Sequence, residues 1–393
     1  MPAAREDFDP DLPETFDSAH AEFARLRGEC PVAHTSAMGG FWALTRYEDV
    51  RRAAADPATF LTSRQNVVPK VAFTGRRPPL HLDPPDHTPY RRTLNPLLSA
   101  ERAEGFAPYA RQSARGLLAP MLAKGGGDIC SEYAGYLPVD VFGQWMNVPE
   151  RWVEPLHKSG RAFILAVNMN DPAAMKTTSL TLYDMARELI AIRKQTPLDP
   201  DDDITTALLE ARHNGEALPD EMIVGMVRQV LVVGIVAPTV LMGSIAVHLS
   251  RDQALQAQLR AEPHRIAAAV EEFLRLYTPY RGFARTAACE VSFGEIDVPP
   301  DVAIALVYAS ANRDDAVFPA GDTFVMDRPN IADHLAFGRG PHHCPGIHLG
   351  RMEMRVMVEE LLAATTGFDL AGEIIPARWP EIGAISVPLR FTS

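Results

Sequence analysis

The amino-acid sequence predicts a mainly α-helical fold with a small β region. An apolar run from Ile223 to Val247, interrupted by Arg228 and Pro238, is far too long for a strand and suits a core helix. A second run begins at Ile347 and places Leu349, Met352, Met354, Val356, Met357, Leu361 and Leu362 at spacings that suit a buried helix. Strand-like segments are few and short: Val32–Thr35, Gly40–Thr45, Glu290–Ile296 and Val302–Tyr308.

The chain has 393 residues, enough by length alone for two average domains, and 47% of them are hydrophobic, as expected of a globular protein with a large core. Its net charge of −12 and lack of a basic tract argue against nucleic acid as a partner. Cys30, Cys130, Cys289 and Cys344 are widely scattered and form no disulfide framework, so a reducing cytoplasm is the expected compartment. The polar, acidic N-terminus is neither a signal peptide nor a membrane anchor, and the Ile223–Val247 run lies mid-chain, where a core helix rather than a membrane span is expected.

Along the chain, Ala19, Phe23 and Leu26 share one face of a first helix over residues 17 to 27, with Asp17 or Ser18 as its cap. Two short strands follow around the Gly39-Gly40 turn, then a helix from Tyr47 to Ala55 that stops at Asp56-Pro57. From Thr62 to Asp86, six prolines and glycines (Pro69, Gly75, Pro78, Pro79, Pro84, Pro85) mark a long loop. Such a loop inside a compact domain is usually functional or disordered. Val67, Val68, Val71 and Phe73 suit a lid over a substrate, with Arg76 and Arg77 expected to face solvent. A helix enters near His87 and sets His87 and Arg91 on one side, by themselves no more than an exposed basic face. Residues 152 to 192 read as two helices, and Ala268–Leu276 as another, in which Glu272 and Arg275 form a pair common on any solvated face.

The most informative segment is His334-Leu-Ala-Phe-Gly-Arg-Gly-Pro-His-His-Cys-Pro-Gly346. Gly338, Gly340 and Gly346 permit backbone conformations closed to side chains, and Pro341 and Pro345 stiffen the loop. Cys344 precedes a helix N-terminus, where free N–H groups and the dipole lower a thiol's pKa. Three roles suit such a cysteine. An inert buried thiol leaves the Gly/Pro cage unexplained. Zinc binding with His342 and His348 lacks a second cysteine pair to close a tetrahedral set. An axial thiolate to haem iron needs one sulfur in a rigid loop, with Phe337 shielding it and His342 within reach of a propionate.

Phe337, Gly340, His342, Cys344 and Gly346 fill the pattern Phe-x-x-Gly-x-His-x-Cys-x-Gly, and the segment resembles the haem-binding loop of the cytochrome P-450 superfamily. The resemblance covers nearly the whole chain and implies one cytochrome P-450 domain over residues 1–393, with a haem loop at 334–346 and a central helix at about 221–250. It implies haem b (iron protoporphyrin IX) as cofactor, with Cys344 as the metal ligand. His87 and Arg91 match the His-x-x-x-Arg that binds haem propionates, and Arg285 and His342 match further propionate ligands. Glu272, Arg275 and Arg328 match a buried triad that braces the haem loop.

The central helix departs from the family pattern. Most members carry an acid and an alcohol there to deliver protons for dioxygen activation. Anchored on Gly234, those positions hold Val236 and Ala237, and Thr239 falls two places late, turned by about 100° per residue. Pro238 removes a hydrogen bond to the Gly234 carbonyl, which predicts a kink and a free carbonyl able to hold water or oxygen. Gly234, Val236, Ala237, Pro238 and Thr239 are thus the expected catalytic positions. Three classes remain open: a dioxygen-dependent monooxygenase, a peroxide-driven or non-oxygenating haem-thiolate enzyme, and a haem protein that binds a ligand without turnover. For a monooxygenase, the resemblance implies a monomer supplied by a separate iron–sulfur ferredoxin and an NAD(P)H-dependent reductase. The ferredoxin is expected to dock near Arg339, Arg351 and Arg355. The pocket is expected to include Val233, Val236, Tyr280, Arg281 and Phe283 around a small to medium-sized hydrophobic molecule. Arg281 would either pin an anionic group of that substrate or turn away onto an acidic neighbour.

Overall fold

Apolar periodicity and side-chain caps decide where the helices lie. The computed structural model describes residues 6–12, 14–71, 73–169 and 171–392, without the side chains of Ile164, Val167, Asn168, Val232 and Val233. Val233, expected at the pocket, therefore falls outside the described residues. The helices are α1 (Ser18–Glu29), α2 (Tyr47–Ala55), α3 (His87–Leu97), α4 (Ala100–Gly105), α5 (Ala107–Ala123), α6 (Leu137–Trp145), α7 (Val153–Asn168), α8 (Pro172–Gln195), α9 (Ile204–Glu210), α10 (Asp220–Arg251), α11 (Gln253–Ala261), α12 (Ile266–Leu276), α13 (Tyr308–Ala311) and α14 (Ile347–Ala364). Carboxylate caps open three of them: Asp171 accepts from the first turn of α8, Asp203 from α9 and Asp252 from α11. The cap expected for α1 is not made. The Asp17 carboxylate instead accepts from both Nη atoms of Arg251, at 2.8 and 3.0 Å.

The strands are β1 (Val32–Thr35), β2 (Phe41–Leu44), β3 (Phe60–Leu61), β4 (Gly126–Asp128), β5 (Arg212–His213), β6 (Glu216–Ala217), β7 (Ala284–Ala287), β8 (Val291–Phe293), β9 (Ile296–Val298), β10 (Ala303–Leu306), β11 (Gly367–Leu370), β12 (Ile375–Pro376), β13 (Ala384–Ser386) and β14 (Pro388–Thr392). The largest sheet runs β1-β2-β10-β7-β3, with β2 and β10 parallel and the other pairs antiparallel. A smaller sheet, β11-β14-β4, and three two-stranded ribbons complete the β region.

The long helix α10 is the axis of the fold. It is long and apolar enough to cross a membrane, yet 88% of its most apolar stretch is buried inside the protein, as befits a core helix. Its N-terminal half packs Ile223, Val227 and Leu231 with Leu182, Ala186 and Leu189 of α8. Its C-terminal half joins Met242, Ile245 and Leu249 to Val356, Met357 and Leu361 of α14. Between these two cores, Val236 and Val240 meet Ala377, with Phe163 and Ile385 alongside. Pro238 does not interrupt the helix, which runs through it from Asp220 to Arg251.

Candidate active site

The loop before α14 is built by two glycines and pressed against α2. Gly338 and Gly340 each adopt φ of 71°, in the left-handed region, and a Cβ on Gly340 would lie 2.5 Å from the Ala54 carbonyl oxygen. Gly346 differs from expectation, since its φ of −86° is open to any residue. What its missing side chain leaves free is the flank of the sulfur, since a Cβ there would stand 3.9 Å from Cys344 Sγ. The Cys344 N–H donates to the Phe337 carbonyl at 2.9 Å and closes the turn. Arg351 caps the Phe337 ring from the other side, 5.1 Å from its centroid.

Cys344 lies deep in the protein yet keeps accessible surface, so that surface faces an internal space. Burial pushes its thiol pKa up, against the opposing pull of the Gly346 N–H and of Arg91. The lowering expected at a helix start is therefore outweighed by desolvation. A metal at this sulfur must displace a proton. Among the described residues, no three His, Cys, Asp or Glu side chains come together to hold a metal ion, which overturns zinc binding by His342, Cys344 and His348.

Around the sulfur stand donors without acceptors. His87 is buried, its ring 4.6 Å from that of His342, and the Nε2 atoms of both rings lack hydrogen-bond partners. Burial, reinforced by His342 and Arg91, holds His87 down at about 4. Arg91 lies close enough to Cys344 and to both histidines for their charges to interact, and it makes no ion pair among the described residues. Arg285, on β7, is 5% exposed; it donates to the Ala284 carbonyl at 2.9 Å and to Tyr308, and meets no carboxylate among the described residues. The nearest carboxylate to His342 is Asp83, 3.9 Å away. Buried cations and orphaned ring nitrogens converging on one space call for an anionic occupant. The two carboxylates of haem b match that demand, with the Cys344 sulfur beside them.

Behind the loop, the Glu272 carboxylate accepts from Arg275 at 2.7 and 2.8 Å, from Arg328 at 3.1 Å and from the Val325 N–H at 3.0 Å. The remaining donors of both arginines reach backbone carbonyls, among them Asn312, Gly321, Pro319 and Thr323. The triad is thus buried and nearly every N–H in it has an acceptor, the condition under which buried charge is tolerated.

On α10, the expected relay positions divide. A Cβ on Gly234 would collide with the Phe142 ring of α6, so that glycine serves close helix packing. Val236 joins the apolar cluster with Val240 and Ala377, and Ala237 keeps accessible surface. Thr239 turns away as expected: its hydroxyl bonds to the Ile235 carbonyl at 2.7 Å and the Ala134 carbonyl at 3.1 Å. Phe163, Ala377 and Ile385 complete this cluster, and the last two, on the C-terminal ribbon, carried no local signal in the sequence.

Tyr280 and Phe283 pack as tilted rings with centroids 4.4 Å apart, and Tyr280 lies within electrostatic reach of Cys344. Arg281 requires a correction. Its side chain is fully buried away from this space, bidentate on Glu14 at 2.7 and 2.9 Å, donating to the Glu381 carbonyl at 2.8 Å and covering Trp379. It is the acidic-neighbour alternative that the fold adopts. The arginine face near Cys344 is also less basic than expected. Arg351 is bidentate on Glu271 at 2.6 and 2.7 Å, and Arg355 pairs with Glu104 and Glu359, which leaves Arg339 exposed without an ion pair among the described residues.

Comparison with known proteins agrees with this geometry. The family profile described as Cytochrome P450 matches residues 167–365. The chain is similar to Cytochrome P450 107B1 of Saccharopolyspora erythraea, at 32% identity over 94% of each chain. It is also similar to a mycinamicin IV hydroxylase/epoxidase of Micromonospora griseorubida, at 30% identity over 89% of this chain and 88% of that one. Among solved structures, cytochrome P450 CYP109Q5 from Chondromyces apiculatus superposes with a TM-score of 0.88 at 26% identity, covering 98% of both chains. With its fold, its cysteine loop and these relatives in agreement, the chain belongs to the cytochrome P450 family and is a haem-thiolate monooxygenase that binds haem b.

Proposed function

We propose that this monooxygenase hydroxylates or dealkylates a small to medium-sized hydrophobic organic molecule. Its electrons come from a separate ferredoxin and NAD(P)H-dependent reductase in the cytoplasm. The observation that carries this reading is the cradle around Cys344: one sulfur on a rigid loop, beside the buried rings of His87 and His342 and beside Arg91 and Arg285, which meet no carboxylate among the described residues. When bound, the haem supplies dioxygen activation and carbon oxidation. The chain supplies the rest. Cys344 would ligate the haem iron, the Arg91 and Arg285 guanidinium groups and the His87 and His342 rings would hold the propionates, and the Glu272–Arg275–Arg328 triad would brace the loop that carries the sulfur. Phe163, Val236, Ala377 and Ile385 offer an apolar wall, and Tyr280 one of the few polar fixtures. Relatives named as hydroxylases and epoxidases support oxygen insertion as the reaction class.

Proton supply is the unusual part. With Val236 and Ala237 at the acid and alcohol positions and the Thr239 hydroxyl bonded to helix carbonyls, protons reach the site through ordered water or through a group on the substrate. The same residues favour a second reading, a monooxygenase driven by peroxide, which needs no such relay. Turnover with NAD(P)H, ferredoxin and reductase, compared with hydrogen peroxide alone, tests the two. Product formation that tracks NAD(P)H consumption supports the first reading, and turnover with peroxide only overturns it. Docking of the ferredoxin falls to Arg339, the unpaired cation of the three. Charge reversal there should slow reduction and flatten its salt dependence.

A further inference from the structure

Eight arginines are buried among the described residues: Arg27, Arg193, Arg228, Arg275, Arg281, Arg285, Arg313 and Arg328. Six of them have a carboxylate within 4.0 Å: Arg27 and Arg313 with Asp322, Arg193 with Asp203, Arg275 and Arg328 with Glu272, and Arg281 with Glu14. The other two, Arg285 and Arg228, have none among the described residues. Arg285 belongs to the propionate set. Arg228 does not: it lies on α10, on the opposite side of Val236 from the C-terminal core, and is 1% exposed.

Among the described residues its surroundings contain a second cation and no carboxylate, and the Tyr183 ring lies 5.7 Å from its guanidinium carbon. Arg228 Nη2 donates to Ser179 Oγ at 2.8 Å, Nη1 reaches Gln229 Oε1 at 3.4 Å, and Nε has no partner. Arg77, expected in solvent, is folded inward from the long loop; its Nη1 lies 3.5 Å from the same Gln229 oxygen and its Nε is likewise unpartnered. Burial and the nearby Arg77 pull the Arg228 pKa down to about 9, with no carboxylate to oppose them. His81 adds no charge of its own, since burial and the arginines hold it neutral, with a pKa of about 3 and an unpartnered Nε2.

The loop that brings Arg77 here is strapped down. Thr74 and Ser179 hydroxyls bond at 2.7 Å, Tyr183 donates to the Arg76 carbonyl at 3.3 Å, and a Cβ on Gly225 of α10 would collide with that same carbonyl oxygen. Two guanidinium groups brought together, Arg228 buried and Arg77 partly so, repel one another and lose hydration, a cost that a counter-anion would offset. Every other buried arginine has either a carboxylate or the propionates.

We propose that Arg228 and Arg77 bind an anionic group of the substrate, a carboxylate or a phosphate, beneath residues 74–81 at the end of the pocket remote from the C-terminal core. This rests on the monooxygenase reading above. Val236, in the apolar cluster, is eight residues farther along α10, or roughly 12 Å at 1.5 Å per residue. The substrate is therefore an elongated amphiphile, its anion at Arg228 and its apolar body running toward Val236. The role first considered for Arg281 passes to this pair.

The test uses haem-loaded protein titrated with decanoic acid, decyl phosphate and methyl decanoate, read both by haem spin state and by calorimetry. At least one of the two anions should bind about tenfold or more tightly than the ester, the scale of a charged hydrogen bond. Which anion is preferred identifies the headgroup. Arg228→Gln and Arg77→Gln should each erase the preference while keeping the thiolate-type ferrous–CO spectrum. Arg187→Gln, on the outer face of Tyr183, should keep it. Equal binding of anions and ester, no binding of either, or a preference that survives Arg228→Gln overturns the proposal. Wild-type protein without the thiolate CO spectrum would instead overturn the haem reading, and calorimetry would still report on the anion site.

Discussion

Two groups of buried arginines in this molecule obey opposite rules. Arg275 and Arg328 share Glu272, and nearly every N–H they carry has an acceptor inside the chain. Arg228 and Arg77 share only a glutamine oxygen, and each leaves its Nε unused. The first group is complete without a ligand and so belongs to the scaffold. The second, like the His87–Arg91–Arg285–His342 set, is incomplete without one. In a protein whose active site must accept two separate molecules, unsatisfied charge marks where each of them bears its anions.

Removing an acceptor from the complete group should have the largest effect. Glu272→Gln leaves two buried guanidinium groups without a counter-charge and should cost about 3–5 kcal/mol, read as a fall in the denaturation midpoint. A loss below about 1 kcal/mol would mean the triad is not the brace described. The contrast extends to carboxyls. Glu381 is buried with Oε2 unpartnered, and burial lifts its pKa to about 8. Because the folded pKa lies above the ordinary value near 4.5, the folded protein binds more protons between the two. Its contribution to stability is complete below about 4.5 and is lost as pH rises toward about 8, by about 5 kcal/mol in all at ~1.4 kcal/mol per pH unit. Glu381→Gln should flatten that part of the stability–pH curve, and an unchanged slope would assign it to another group.

Substitutions in the incomplete groups should run the other way. Arg91→Leu should leave the haem-free protein as stable as before while weakening haem retention by about 1.5–3 kcal/mol, measured by haem transfer to an acceptor protein. Arg228→Met should stabilise the ligand-free protein by about 1 kcal/mol, read as a rise in its denaturation midpoint, because an apolar side chain replaces an uncompensated charge. A destabilised Arg228→Met protein would show that this arginine is structural after all.

Much of this was written in local sequence. Helix α2 spans Tyr47–Ala55 as its pattern predicts, and the cysteine loop and the Glu272–Arg275 spacing carry their chemistry in a few adjacent residues. What was not legible depends on partners far along the chain. Arg281 is settled by Glu14, 267 residues away, and Arg355 by Glu104, 251 residues away, so no window around either arginine reveals its pairing. The Cys344 thiol pKa failed for a related reason: the helix start is local and visible, whereas the burial that outweighs it is a property of the whole fold. Arg228 had a signal that went unused. A single arginine inside an apolar helical run, with no acid one turn away, is a charge that needs a partner from elsewhere.

The central claim is that Cys344 is the sulfur on the haem iron. Wild-type protein reconstituted with haem, reduced and exposed to carbon monoxide should give the red-shifted Soret band of thiolate ligation. Cys344→Ala, prepared in the same way, should lose that band even if it retains haem. A thiolate-type band that persists in Cys344→Ala would contradict the assignment.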